Sequence, residues 1–99
     1  MPLLKNDEIN DRLQRLPHWE IIENEISRNF IAITFRTAVG FVNQIAELAE
    51  EMDHHPDILI HSWNNVSVTL STHSEGGLTT KDFGLADKIQ VQFASLNVA

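Results

Sequence analysis

The segment Glu50-Glu51-Met52-Asp53-His54-His55-Pro56 places two adjacent histidines among three carboxylates, and a third histidine, His73, follows 19 residues after His54. Imidazole is the side chain whose proton is in play near neutral pH, so two histidines in one pocket can divide general-acid and general-base work. Nearby carboxylates can orient the rings. Asp82 lies in Thr79-Thr80-Lys81-Asp82, which resembles a capping box with Asp as its acidic member, and its position after the His73 loop permits a second role beside His73. Each feature also has a plainer reading. A His pair before Pro is the ordinary sequence of a solvated helix end, and His73 that of a surface residue ending a strand. Three His ligands with an open position could hold zinc; against this, a sequential pair does not easily aim both rings at one ion, and no HExxH spacing exists. His18 and His61 have no visible partners and read as surface or packing residues.

These residues need elements to position them. Phe41, Ile45, Leu48, Ala49 and Met52 recur at helical spacing, with Thr37 as a plausible N-cap, and predict the strongest helix of the chain. It must stop near Asp53, because Pro56 disfavours the α conformation at His55 and cannot continue the ladder. His54 and His55 then sit just past a helix C-terminus, whose dipole favours imidazolium there. Ile58–Trp63 and Val66–His73 read as a hairpin turning at Asn64-Asn65, with Val66, Val68 and Leu70 on one face. A helix end and a neighbouring strand end at His73 can meet in space. Trp63 is expected in the core or at an interface.

Upstream, Asn6 or Asp7 caps a short helix over Ile9, Leu13 and Leu16 that Pro17 ends, and Trp19–Ile22 with Ile26–Phe35 form a first hairpin. Leu85, Ala86, Ile89, Phe93 and Leu96 stripe a last helix. The order α-β-β-α-β-β-α predicts an α+β fold, a four-stranded antiparallel sheet with three helices on one side. Phe30 and Ala32 on one strand face, with Phe83 off the helical stripe, are apolar groups that a lone protomer would struggle to cover, which predicts a homodimer or homotetramer.

The chain's 99 residues, 42% hydrophobic with 4 Gly and 3 Pro, suit one packed domain spanning 1–99. Lys plus Arg is 7 and Asp plus Glu is 14, a net charge of −7 with neutral His, which argues against direct contact with nucleic acid or an anionic membrane. No apolar run approaches the roughly 18 residues of a membrane span, and the N-terminus lacks a signal-peptide core. With no Cys, disulfides and thiolate chemistry are excluded, and a cytoplasmic location is expected.

The combination Glu50, three positions, His54-His55-Pro56, an aromatic at Trp63, nine positions, His73 and a downstream Asp82 resembles the signature of the pterin-4a-carbinolamine dehydratase family, also known as dimerisation cofactors of a homeodomain transcription factor. Leu70-Ser71-Thr72-His73 matches the family's strand-end segment, and the resemblance runs from about Trp19 to Gln90. One departure is Ile58, where the family commonly has an aromatic. The resemblance implies the same α+β fold, assembly into dimers or tetramers, and room for a regulatory protein partner. It implies that His54, His55 and His73 line a pterin pocket with Glu50 and Asp82 nearby, and that Asp53, Ser71, Thr72 and Ser74 hold the ring through polar and backbone contacts. The implied substrate is the 4a-hydroxytetrahydropterin released by aromatic amino acid hydroxylases, and the product is quinonoid dihydropterin plus water, with no metal and no cofactor. On this reading His54 and His73 form the acid/base pair and His55 orients and binds. A non-catalytic scaffold of the same fold is the alternative.

Overall fold

A computed structural model describes residues 2–96. Its elements are α1 (Asn6–Leu13), β1 (Glu20–Ile22), β2 (Glu25–Ile31), α2 (Phe35–Met52), β3 (Asp57–His61), β4 (Asn65–Leu70), a 3-10 turn (His73–Glu75) and α3 (Thr80–Leu96). The strands form one antiparallel sheet in the order β1-β2-β4-β3. This is the α+β arrangement expected from the periodicity.

Register explains the core. Phe30 pairs with Val66, which pairs with Ile60, and Arg28 pairs with Val68, which pairs with Ile58, so these side chains share the inner face. Against that face α2 supplies Phe41 and α3 supplies Phe93, whose rings stand 4.9 Å and 4.8 Å from Phe30. Trp19 closes the cluster edge-to-face on Phe30 at 5.9 Å. Arg28 lays its guanidinium 4.2 Å over the Phe30 ring, and burial pushes its pKa below the usual arginine value. Val66, Val68 and Leu70 are fully buried, as their alternation predicted.

Several local expectations give way. Phe30, Ala32 and Phe83 are buried within the protomer's own core; the uncovered apolar groups include Ile31, Ile33, Phe35, Leu59, Trp63 and Val91. Ile31 and Leu59 share the outer sheet face with Asn29, His61 and Ser67, the complement of the row that packs inward. The long helix begins at Phe35, capped by Thr34, whose hydroxyl accepts from Thr37 N–H at 3.0 Å. That earlier start ends β2 at Ile31. In α1 Lys5 takes the cap position, with the Glu8 carboxylate accepting from Lys5 N–H at 2.9 Å, and the helix ends at Leu13, before Pro17. The second hairpin turns at Ser62 and Trp63, both left-handed at φ 48° and 56°, because Asn64 is held to Ala32 by bonds of 2.8 Å and 2.9 Å and Asn65 pairs with His61. At the tip of that turn Trp63 is 63% exposed, so it does not enter the core.

Candidate active site

The C-terminus of α2 fixes where the histidine pair can go. Asp53 stands in the left-handed region at φ 50°, ψ 47°, a conformation Asp tolerates better than most residues. Asp53 N–H donates to Glu50 O at 3.2 Å and His54 N–H to Ala49 O at 3.0 Å, the paired bonds of a Schellman motif. The chain therefore turns sharply out of the helix, and Pro56 prevents its resumption. Asp53 thus positions the histidines as well as bordering the cavity they face.

His54 is buried, and its Nε2 lies 2.6 Å from Asp82 Oδ1. Asp82 itself has no exposed surface. Its Oδ2 accepts from the Thr72 hydroxyl at 2.8 Å and from Thr79 N–H at 2.9 Å, while Thr79 Oγ1 stands 2.8 Å from Thr72 Oγ1. A carboxylate only accepts, so the network assigns the Nε2 proton to His54 and directs the Thr79 hydroxyl to the Thr72 oxygen. Four elements of the fold are tied together here: the α2 end, the β4 exit, the loop before α3, and α3 itself. The capping role expected of Asp82 is present through Thr79 N–H. Its second role falls to His54 rather than to His73, because α3 enters beneath the α2 terminus.

His55 turns the other way, toward solvent, and its Nε2 lies 2.5 Å from Glu50 Oε2. His73 does not end a strand. Thr72 pairs its backbone with Gly77, Thr72 N–H donating to Gly77 O at 2.8 Å, and the intervening residues fold into the 3-10 turn that His73 begins and Gly76, at φ 73°, closes. The turn still brings His73 to the α2 end. One cavity of about 400 Å³ is bordered by Asp53, His54, His55, Ser71, Thr72, His73 and Ser74, with Glu75 and Lys81. This is within the usual size range of small-molecule sites.

Sequence reasoning missed three participants. Thr79 has no exposed surface and braces Asp82; Lys81 supplies a cationic wall; and Glu75 adds a carboxylate. Thr79 was legible only as a helix cap. Thr72 has its hydroxyl engaged with Asp82 and Thr79, so it offers a ligand its surface rather than a free hydroxyl. His61 has partners after all, its Nε2 lying 2.9 Å from Asn29 Oδ1 and 3.1 Å from Ser67 Oγ on the outer sheet face, away from the cavity. Among the described residues no group of three or more His, Cys, Asp or Glu is placed to hold a metal ion, and no helix is long and apolar enough to cross a membrane.

Comparison with known proteins agrees with this fold. Residues 2–92 match the family described as pterin 4 alpha carbinolamine dehydratase. A relative from Herpetosiphon aurantiacus, provisionally named pterin-4-alpha-carbinolamine dehydratase, is 44% identical over 95 residues, covering 96% of this chain and 98% of its own. One from Sulfolobus acidocaldarius with the same provisional name is 45% identical over 86 residues, covering 87% and 93%. The crystal structure of a transcriptional coactivator/pterin dehydratase from Brucella melitensis superposes with a TM-score of 0.86 at 39% identity, over 91% of this chain and 97% of that one. A pterin dehydratase-like protein identified as a RuBisCO assembly factor in the alpha-carboxysome shares the fold, with a TM-score of 0.63 at 18% identity, over 76% of this chain and 86% of that one. The chain belongs to the pterin-4a-carbinolamine dehydratase family.

Proposed function

We propose that the protein is a 4a-hydroxytetrahydropterin dehydratase, a hydro-lyase that removes water from the carbinolamine to give quinonoid dihydropterin and so returns the pterin for reduction. The observation that carries this reading is the His54–Asp82 pair, a solvent-shielded imidazole held by a fully buried carboxylate on the wall of the cavity that His73 also borders. Such a carboxylate fixes the tautomer and orientation of its imidazole, which is what proton transfer to a bound substrate requires. With Nε2 committed to Asp82, Nδ1 is the working nitrogen of His54. In the reaction the C4a–O bond breaks, the departing hydroxyl takes a proton and leaves as water, and a ring nitrogen of the pterin releases a proton. His54 and His73 carry these two transfers. His55, steadied by Glu50, orients and binds; Asp53, Ser71, Thr72 and Ser74 frame the ring.

The chemistry needs no metal and no cofactor beyond the pterin itself. A dehydration assay with freshly generated 4a-hydroxytetrahydropterin tests the assignment: His54→Ala and His73→Ala each lower the rate by about 10²-fold or more, the usual share of acid–base catalysis, and His61→Ala changes little. Equal losses at His61 and His73 would show that the wrong histidines carry the reaction.

The outer sheet face, with Ile31 and Leu59 about 60% exposed, favours self-association into a homodimer or homotetramer through this face and the β3 edge. A cytoplasmic setting suits a chain without cysteine. With its charge of −7 it would reach nucleic acid only through a protein partner. The scaffold alternative gains nothing from a buried imidazole–carboxylate pair.

A further inference from the structure

Beside the proposed catalytic cavity lies a second one of about 260 Å³, bordered by Glu23, Asn24, Glu25, Ser71, His73 and Gly77. Ser71 and His73 belong to both, so His73 is the partition between two adjoining chambers. In a pterin, the carbon bearing the side chain, C6, is separated from the reacting C4a by a single ring nitrogen. A ring that presents C4a to His73 therefore projects its side chain from the edge next to His73, toward the second chamber.

The wall of that chamber is acidic and uncompensated. Glu23 and Glu25 have no hydrogen bond or ion pair from their side chains among the described residues, and neither lysine nor arginine borders the chamber; Lys81 borders only the first. Glu23 also holds an unusual backbone. It is the first residue of the two-residue loop between Ile22 and Glu25, at φ 55°, a place where glycine is the unstrained choice. Gly76, which also borders this chamber, leaves the space at its Cβ position open, with nothing within 4 Å.

Resting on the pterin reading above, we infer that this second chamber is the subsite for the C6 side chain, and that Glu23 and Glu25 select a neutral hydroxylated chain over a phosphorylated one. Hydroxyls donate to free carboxylates, whereas a phosphate, carrying close to two negative charges at neutral pH, meets two like charges with no lysine or arginine to offset them. Both carboxylates are reached by solvent, so the discrimination is about tenfold rather than absolute.

Equilibrium titration with three probes tests this: 7,8-dihydroneopterin, its monophosphate, and 6-methyl-7,8-dihydropterin, which has no hydroxylated chain. The monophosphate binds about tenfold more weakly than dihydroneopterin at low salt, and the gap narrows in about 1 M salt, where the Debye length is about 3 Å. The double variant Glu23→Gln/Glu25→Gln, checked for an unchanged melting temperature, closes the gap to within about threefold while leaving 6-methyldihydropterin binding unchanged. Equal binding of dihydroneopterin and its phosphate by the wild type, or a gap that survives in the double variant, overturns the subsite. If 6-methyldihydropterin binds and His73→Ala weakens it, the pterin reading stands even when the subsite fails. If 6-methyldihydropterin does not bind, both fail together.

Discussion

Replacing Asp82 separates its structural part from its chemical one. Asp82→Ala removes the acceptor of three buried or nearly buried groups: His54 Nε2, the Thr72 hydroxyl and Thr79 N–H. The Thr79 hydroxyl already donates to the Thr72 oxygen, so that contact offers the Thr72 proton no acceptor and all three donors are orphaned. At about 1–3 kcal/mol for each unsatisfied buried group the loss is about 3–9 kcal/mol, a large share of the 5–15 kcal/mol typical of a small domain. Thermal unfolding should fall by about 10 °C or more. Asp82→Asn has nearly the same shape. Its Oδ1 still accepts from Thr72 and Thr79, but its amide now faces His54 Nε2 and donates, which obliges Nε2 to accept and moves the ring proton to Nδ1. Stability should then fall by no more than about 2 kcal/mol, while the dehydration rate drops by about 10²-fold or more because the working nitrogen is in the wrong protonation state. Circular dichroism melting and the dehydration assay, run on both variants, read the two effects apart. An Asp82→Asn enzyme within about threefold of wild type would refute the role given to the His54–Asp82 bond. An unshifted melting temperature in Asp82→Ala would refute the hydrogen-bond reasoning.

Phe30→Ala, at a residue 1% exposed with aromatic rings on three sides, should cost about 3–5 kcal/mol in urea unfolding, and Phe30→Leu distinctly less. Sedimentation at micromolar concentration should show a dimer or tetramer, with Ile31→Asp or Leu59→Asp shifting it to monomer without unfolding; a monomeric wild type would end the subunit-contact reading. Glu50→Ala should lower stability by less than about 1 kcal/mol, since both partners of the Glu50–His55 pair are largely exposed, so any fall in activity beyond that in a folded variant reports loss of His55 orientation.

The elements were legible wherever a periodic apolar pattern met a clear stop. Phe41, Ile45 and Ala49 announced α2, Pro56 and Asp53 announced its end, and Val66, Val68 and Leu70 announced β4. The failures have a common cause, which is that local alternation cannot say which partner will be bonded. Ile31, Ile33 and Phe35 alternate like a strand, yet the Thr34 cap begins the helix there. Asn64 and Asn65 look like a turn, yet their amides are needed by Ala32 and Asn29, and the left-handed residues become Ser62 and Trp63. At the site the spacing of Glu50, His54, His55, His73 and Asp82 singled out residues that the fold gathers at the end of α2, with His54, His55 and His73 on one cavity. It could not show that Asp82 serves His54, because that depends on how α3 docks beneath α2, nor that Thr79 would complete the buried network.

In the proposed function the cavity between the α2 terminus and the His73 turn dehydrates a pterin carbinolamine. The direct test is the rate of loss of freshly generated 4a-hydroxytetrahydropterin with purified protein, in the presence of a chelator, against a protein-free control. The rate should be at least about 10²-fold above the control, unaffected by the chelator and reduced to near control in a His54→Ala/His73→Ala double variant. A wild-type rate indistinguishable from the protein-free control would contradict it.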